Sequence, residues 1–231
     1  MTKIIRLYHY MLQKTQVLDF VVPLAFRLIL APTLIIAGFN KLNLPAFFTG
    51  DVGFFTGLLP DPSVVAWFGN AQWGLGLPLP ELMVFLAGWT EFLGGWLLLF
   101  GLLGRLISLP LAFTMLVAAS TAHLDNGWFA VAPSNPDTSA ARVYAWLGID
   151  AAEASLENSV AVSARLSQAR ALLKEHGNYS WITAKGSIVV LNNGVEFAIT
   201  YLFMLLTIFF MGPGRFVSID YWLCRNRCKQ Q

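Results

Sequence analysis

Apolar residues in this chain come in long runs, divided by a tight turn and two longer connections and flanked by basic ends. Four runs are long enough to cross a bilayer, which takes about 20 residues. VVPLAFRLILAPTLIIAGF opens at Val21 and predicts a span over residues 21–39. LMVFLAGWTEFLGGWLLLFGLL covers 82–103, and LISLPLAFTMLVAASTAHL covers 106–124 after a short turn through Gly104 and Arg105. IVVLNNGVEFAITYLFMLLTIFFM covers 188–211. The pattern therefore predicts an all-α integral membrane four-helix bundle, one domain over 1–231. A small periplasmic insert, 125–187, would lie between the third and fourth helices. The first run could pass for a signal peptide. Its preceding polar region is long and no clear small-residue cleavage site follows, so it is expected to be retained.

Composition agrees, with 56% of residues hydrophobic and only 12% charged, where a soluble domain carries about 25%. The net charge of +2 points to no nucleic acid, because the basic residues sit mostly at the chain ends. Their distribution orients the spans by the positive-inside rule. Lys3, Arg6 and Lys14 precede the first span, Arg105 lies in the tight turn, and Arg215, Arg225, Arg227 and Lys229 follow the fourth. Asp51 and Asp61 lie in one of the other connections. Asp125, Asp137, Asp150, Glu153, Glu157 and Glu175 lie in the other. Both termini are thus expected in the cytoplasm of a bacterium, with the chain multi-pass in the inner membrane. The two cysteines, close together in CRNRC, are expected to be reduced thiols.

The first outward connection is dense in Phe, Trp, Gly and Pro, a composition suited to the water–lipid boundary. The second opens with the loop-like APSNPDTS. Further on, Val162, Leu166, Ala169, Leu172 and Leu173 recur at helical spacing before Gly177, a natural stop. That predicts one amphipathic helix, able to cap the bundle or meet a partner.

Charges inside the runs are the candidates for chemistry, since ionisable residues in membrane spans mark functional sites by default. Gly88, Glu91 and Gly95 share one helix face, and small residues beside a polar one suit a helix–helix contact in lipid. Arg27, Ala31, Gly38 and Lys41 share another face, as do Asn193, Glu196, Thr200 and Thr207. Counting helical rise from the outer boundary puts Glu196 roughly 12 Å deep, Glu91 roughly 14 Å and Arg27 roughly 18 Å. On that count Arg27 would bridge two glutamates sharing a proton. Structural glue is the alternative reading of the same cluster. Asn192 or Asn193 and Thr200 would supply the remaining hydrogen bonds. His123, near the outer boundary with Lys41, would relay protons outward or merely bond at a helix end. A metal site is not expected: His9, His123 and His176 lie in different regions, and Cys224 and Cys228 on the opposite side.

The order AGFNKL, TEFLGGWLLLFGLLGR, NNGVEFAITYLF and GPGRFVSIDYWL resembles the DoxX family of small four-helix membrane proteins. GNAQWGLGLPLPELMVFL, LPLAFTMLVAASTAHLDNGW and EHGNYSW followed by LNNGVEF are similar to its HvfX-like branch, encoded beside copper-binding, ribosomally made peptides and their maturation enzymes. The resemblance implies an oxidoreductase-type membrane component with quinone as substrate and no covalently bound cofactor. It carries the family's polar motif positions onto Lys41, Glu91 and Glu196, with Arg27 joining by depth. Glu91, Glu196 and His123 would then be catalytic, and Arg27, Lys41 and Asn193 would bind substrate. One implied role is to exchange electrons and protons with the quinone pool, in peptide maturation or in copper and oxidative stress protection. The other is non-enzymatic: a membrane anchor or export partner for the peptide or its enzymes. Both leave room for a homo-oligomer.

Overall fold

A computed structural model of the chain describes residues 2–228, so Lys229 lies outside the described residues, as do the side chains of Lys3, Arg227 and Cys228. No strand occurs among the described residues, and the helices fall into two compact units.

The first unit comprises residues 1–122 and 198–231. It begins with α1 (Thr2–Thr15), followed through a short 3₁₀ turn by α2 (Val21–Lys41). Three short helices come next: α3 (Leu44–Thr49), α4 (Phe54–Gly57) and α5 (Pro62–Gly69). Asp61 starts α5 by accepting from the amides of Ser63 and Val64, with Pro62 in the first turn where no amide is required. Two long helices follow, α6 (Pro80–Phe100) and α7 (Gly104–Ala118). Gly101, at φ +65°, closes α6 in the left-handed conformation that spares glycine a steric cost.

The second unit, residues 123–197, holds α8 (Ala141–Trp146), α9 (Asp150–His176) and α10 (Tyr179–Ile182). Val162 and Leu166 of α9 are buried and pack with Ala132 and Ile188, so the amphipathic spacing finds its core inside this unit. The helix begins at Asp150, well before the hydrophobic repeat is legible, and Leu172 on the expected face is exposed. The chain then re-enters the first unit through α11 (Glu196–Met211) and ends in α12 (Ile219–Cys228).

Three helical stretches are long and apolar enough to cross a membrane: Ile5–Lys41, Pro80–Phe100 and Gly104–Asn126. The protein is thus a membrane protein with three candidate spans. Leu86, Leu109, Phe113, Phe203 and Phe210 expose their side chains, as residues that face lipid do. The fourth run departs from its expected form. Residues 188–195 are not helical, because Asn193 takes φ +58° and Val131 bridges Leu191. Helix α11 starts only at Glu196, and its 16 residues span about 24 Å against a hydrocarbon core of about 30 Å. Its inner half still joins the core: Leu30 and Leu34 of α2, Leu98 of α6, Leu111 of α7 and Leu205 and Ile208 of α11 form one buried cluster.

The closest helix approach in the first unit is between α2 and α6. A Cβ added at Gly38 would fall 2.3 Å from the Phe92 nitrogen and 2.5 Å from the Gly88 carbonyl oxygen. One added at Gly95 would fall 3.1 Å from the Ala31 carbonyl oxygen. Glycine here lets backbones touch, the packing mode that replaces the hydrophobic effect inside lipid. Gly38→Val is expected to cost at least about 3 kcal/mol, the upper end for overpacking, since backbone must move. Gly53→Ala, at an exposed glycine with open space beside it, should stay within about 0.5 kcal/mol. Thermal unfolding of the two purified variants in detergent measures both.

Candidate functional site

Lys41 is the last residue of α2, and Glu91 sits midway along α6. The ammonium of Lys41 donates to the Glu91 carboxylate, forming an ion pair in which the Glu91 side chain is 5% exposed and that of Lys41 22%. The acid is therefore enclosed and the base lies at the rim. Gly88 makes the reach possible, because a Cβ there would come 3.3 Å from the Lys41 Cβ and closer still to the Leu42 side chain. As expected, Gly88, Glu91 and Gly95 face protein. A cation is what lets the carboxylate be buried at all, since an unpaired buried charge is far costlier than a paired one.

The connection after α2 folds back over this end. Leu42 bridges Pro60, the Asp61 amide donates to the Lys41 carbonyl at 2.9 Å, and the Trp89 indole donates to the Leu58 carbonyl at 3.1 Å. Phe92 packs against Phe39 and Trp89, with ring centroids 6.3 and 6.1 Å apart, and Phe48 against Phe39 at 5.8 Å. The pair thus lies at a glycine-lined helix crossing, on two helices that also carry packed aromatic rings.

Arg27 does something other than bridge glutamates. Its guanidinium donates to the carbonyls of Leu98 (2.7 Å), Leu99 (2.5 Å), Pro213 (2.8 Å) and Val217 (3.2 Å). Leu98 and Leu99 belong to the last turn of α6, whose carbonyls lack helical partners and carry the negative end of the helix dipole. The depth count failed because the predicted outer ends of the first two runs are not level: Lys41, at the end of α2, pairs with Glu91 midway along α6, and the 14 residues from Arg27 to Lys41 put Arg27 about 21 Å further along the helix. Asp220 completes that end by accepting from the amides of Leu103 and Gly104, both at 2.8 Å. This holds Leu103 at φ +53° and caps α7. Sequence reasoning missed Asp220, since nothing local marks a carboxylate that caps a helix 116 positions away.

In the second unit His123, Asn193 and Glu196 come together around one backbone segment. The His123 Nδ1–H donates to the Asn193 carbonyl at 2.8 Å, because a carbonyl can only accept. The amides of Asn192 and Asn193 donate to Ala130 O, and those of Gly194, Val195 and Glu196 to Phe129 O, Gly127 O and Trp128 O. The Glu196 carboxylate accepts from the Ala130 amide at 3.0 Å. Asn193 therefore acts through its backbone and precedes the helix, so it does not share a helical face with Glu196, Thr200 and Thr207. Left-handed φ is tolerated by asparagine, and Gly194 leaves room for the carbonyls of Gly127 and Phe129, each 2.6 Å from where its Cβ would sit. Glu196 opens α11, where a carboxylate is favoured by the helix dipole, and is not two turns inside a longer helix.

Among the described residues no cluster of metal-ligating side chains occurs, and Cys224 is an exposed free thiol.

These features define a helical membrane protein with a charged pair in a helix crossing. The profile of the DoxX family matches residues 22–124, the stretch that carries Arg27, Lys41, Glu91 and His123. Asn193 and Glu196 lie beyond the match. Comparison with curated proteins and with solved structures finds no match.

Removing one partner of the pair should hurt more than removing both. Lys41→Met alone is expected to cost about 3 kcal/mol by stranding Glu91. The double variant Lys41→Met/Glu91→Leu should recover most of that loss. A double-mutant cycle by thermal unfolding measures it.

Proposed function

We propose that the chain is an oxidoreductase-type subunit of the bacterial inner membrane that exchanges electrons and protons with the quinone pool through the Lys41–Glu91 pair. The observation that carries this reading is the pair itself, an enclosed carboxylate and a rim ammonium on helices that also carry aromatic rings of the kind a quinone head packs against. Reduction of a quinone takes two electrons and two protons and yields the quinol. The electrons come from a partner protein or substrate. Lys41 donates a hydrogen bond and a proton to the nearer carbonyl oxygen, and Glu91 stabilises the ammonium, takes up protons from water and passes them to Lys41, which delivers the second proton. The family match supports the reading, since DoxX proteins are loosely linked to oxidoreductase and quinone-related roles. We assign His123, Asn193 and Glu196, which share one backbone segment of the second unit, to proton exchange with water on the periplasmic side. Arg27 is structural.

In this reading α11 is a fourth crossing, both termini lie in the cytoplasm, and residues 123–197 face the periplasm. The basic residues at both ends support it. The HvfX-like motifs associate the activity with maturation of a copper-binding peptide or with copper protection. A second reading, an anchor for that peptide or its maturation enzymes, draws on the exposed apolar residues Trp128, Tyr144, Trp146 and Leu147.

Calorimetry with a short-chain quinone and the purified protein tests the first reading. Saturable binding is expected, with Kd raised at least tenfold in Glu91→Gln and unchanged in Trp146→Ser. No binding by folded wild-type protein defeats the quinone reading, and loss of a co-purifying enzyme in Trp146→Ser favours the anchor. Orientation has its own readout. With Cys228→Ser as background, Cys224 should resist a membrane-impermeant thiol reagent in intact cells and react once the cells are opened.

A further inference from the structure

The second unit carries an apolar face of its own. Residues 143–149, VYAWLGI, include no charged side chain, and Trp146 and Leu147 are 75% and 72% exposed. Val143, Tyr144 and Ile149 are exposed beside them. The segment is held in place from behind: α8 packs on α9, with Ala141 and Ala152 buried. Its backbone is satisfied locally, since the amides of Leu147 and Ile149 donate to the Tyr144 carbonyl at 3.1 and 3.2 Å and that of Gly148 to the Ala145 carbonyl at 2.9 Å. Arg142, just before the run, is committed to Asp137 and to the Pro136 carbonyl, and Asp150, just after it, opens α9. Beside the face lies a cavity of about 340 Å³ with Trp128, Phe129, Ala141, Tyr144, Ile149 and Ala152 among its walls.

Trp128 ties this face to the membrane. It follows by two residues the candidate span Gly104–Asn126, so its Cα lies within about 7 Å of the end of that span. The Trp128 carbonyl accepts from the Glu196 amide at 2.9 Å, and the Gly127 carbonyl from the Val195 amide at 3.0 Å. The chain that leads back into α11 is thus bonded to the same residues. Phe113 and Leu116 of the span are exposed, as residues that face lipid are, and Leu124 near its end is exposed too. The apolar surface of the span therefore continues along the chain to Trp128 and the cavity.

We propose that the face formed by α8 and residues 147–149 docks on the bilayer, with Val143, Trp146 and Leu147 in the layer where headgroups meet acyl chains and lipid filling the hollow beside Trp128. Tryptophan and tyrosine favour that layer. Amides already bonded within the segment remove the largest cost of leaving water for it. The covalent tether makes the contact intramolecular, so the bilayer is the partner that this face meets at the highest effective concentration. The second unit is then seated on the membrane, not held free in water, and this holds whether or not the protein handles quinone.

The test uses the full chain with Cys224→Ser and Cys228→Ser, reconstituted in vesicles of equal parts phosphatidylethanolamine and phosphatidylglycerol. A nitroxide label is placed at Val143→Cys, at Leu147→Cys and, for reference, at Ser167→Cys on α9, all three exposed positions whose substitution opens no core. Collision of each label with oxygen, which concentrates in lipid, is compared with collision with a water-soluble nickel chelate. The oxygen-to-nickel ratio should be several-fold higher at Val143→Cys and Leu147→Cys than at Ser167→Cys, as seating about 5–10 Å into the boundary requires. Adding Trp146→Asp should bring the ratio at Val143→Cys down towards that of the reference. Ratios equal to the reference at both positions overturn the proposal and leave the face to a protein partner. A fall in both collision rates together marks burial against protein, and overturns it as well.

Discussion

The close approach of α2 and α6 is the constraint on which the rest of the first unit depends. Two helices in lipid gain nothing from excluding water, so contact has to come from shape and from polar groups that lipid cannot serve. Gly38, Gly88 and Gly95 remove the side chains that would hold the axes apart. Once the backbones touch, Lys41 at the end of one helix can reach Glu91 in the middle of the other. The glycines and the ion pair support each other: without the approach the charges stay too far apart, and without the pair the approach buries an uncompensated carboxylate. A glutamate within an apolar run is thereby accounted for by a cation supplied from the neighbouring helix.

Charge also organises the opposite end, by different chemistry. There the negative groups are mostly backbone carbonyls, and Arg27 gathers four of them from α6 and from the chain after α11. Asp220 does the converse for the amides that open α7. Between them they satisfy groups that a membrane environment leaves without partners. They do so across long sequence separations, which is why this end joins α2, α6, α7 and α12 as one piece.

The helical class and three candidate spans were legible because apolar runs of span length have few other uses. The face carrying Gly88, Glu91 and Gly95 was legible too, since spacing on a helix determines direction. Partner choice was not. Depth counted along each run placed Arg27 beside Glu91, whereas the register of α6 against α2 aligns Lys41 with Glu91 and Arg27 with Leu98. The start of α11 was misread for a local reason. Hydropathy is indifferent to the left-handed turn at Asn193, and LNNGVE looks like helix until the carbonyls of residues 127–130 are seen to hold it extended. Asp19 and Asp220 carried no signal, because each works on residues distant in sequence.

The two ends differ in what it takes to separate the helices, and that bears on which end can admit a ligand. Parting α2 from α6 at the Arg27 end breaks the hydrogen bonds from its buried guanidinium to the Leu98 and Leu99 carbonyls and leaves it only those of Pro213 and Val217, at about 1–3 kcal/mol for each stranded group. Parting them at the Lys41 end breaks one ion pair whose ammonium already lies at the rim. The aromatic rings there can turn without breaking hydrogen bonds of their own, apart from the Trp89 bond to Leu58. The Lys41 end is therefore the less costly of the two to part. On the proposed function, a planar ligand arriving at that end would meet the ammonium first and the enclosed carboxylate second, so that Lys41 would give its proton before Glu91 resupplies it.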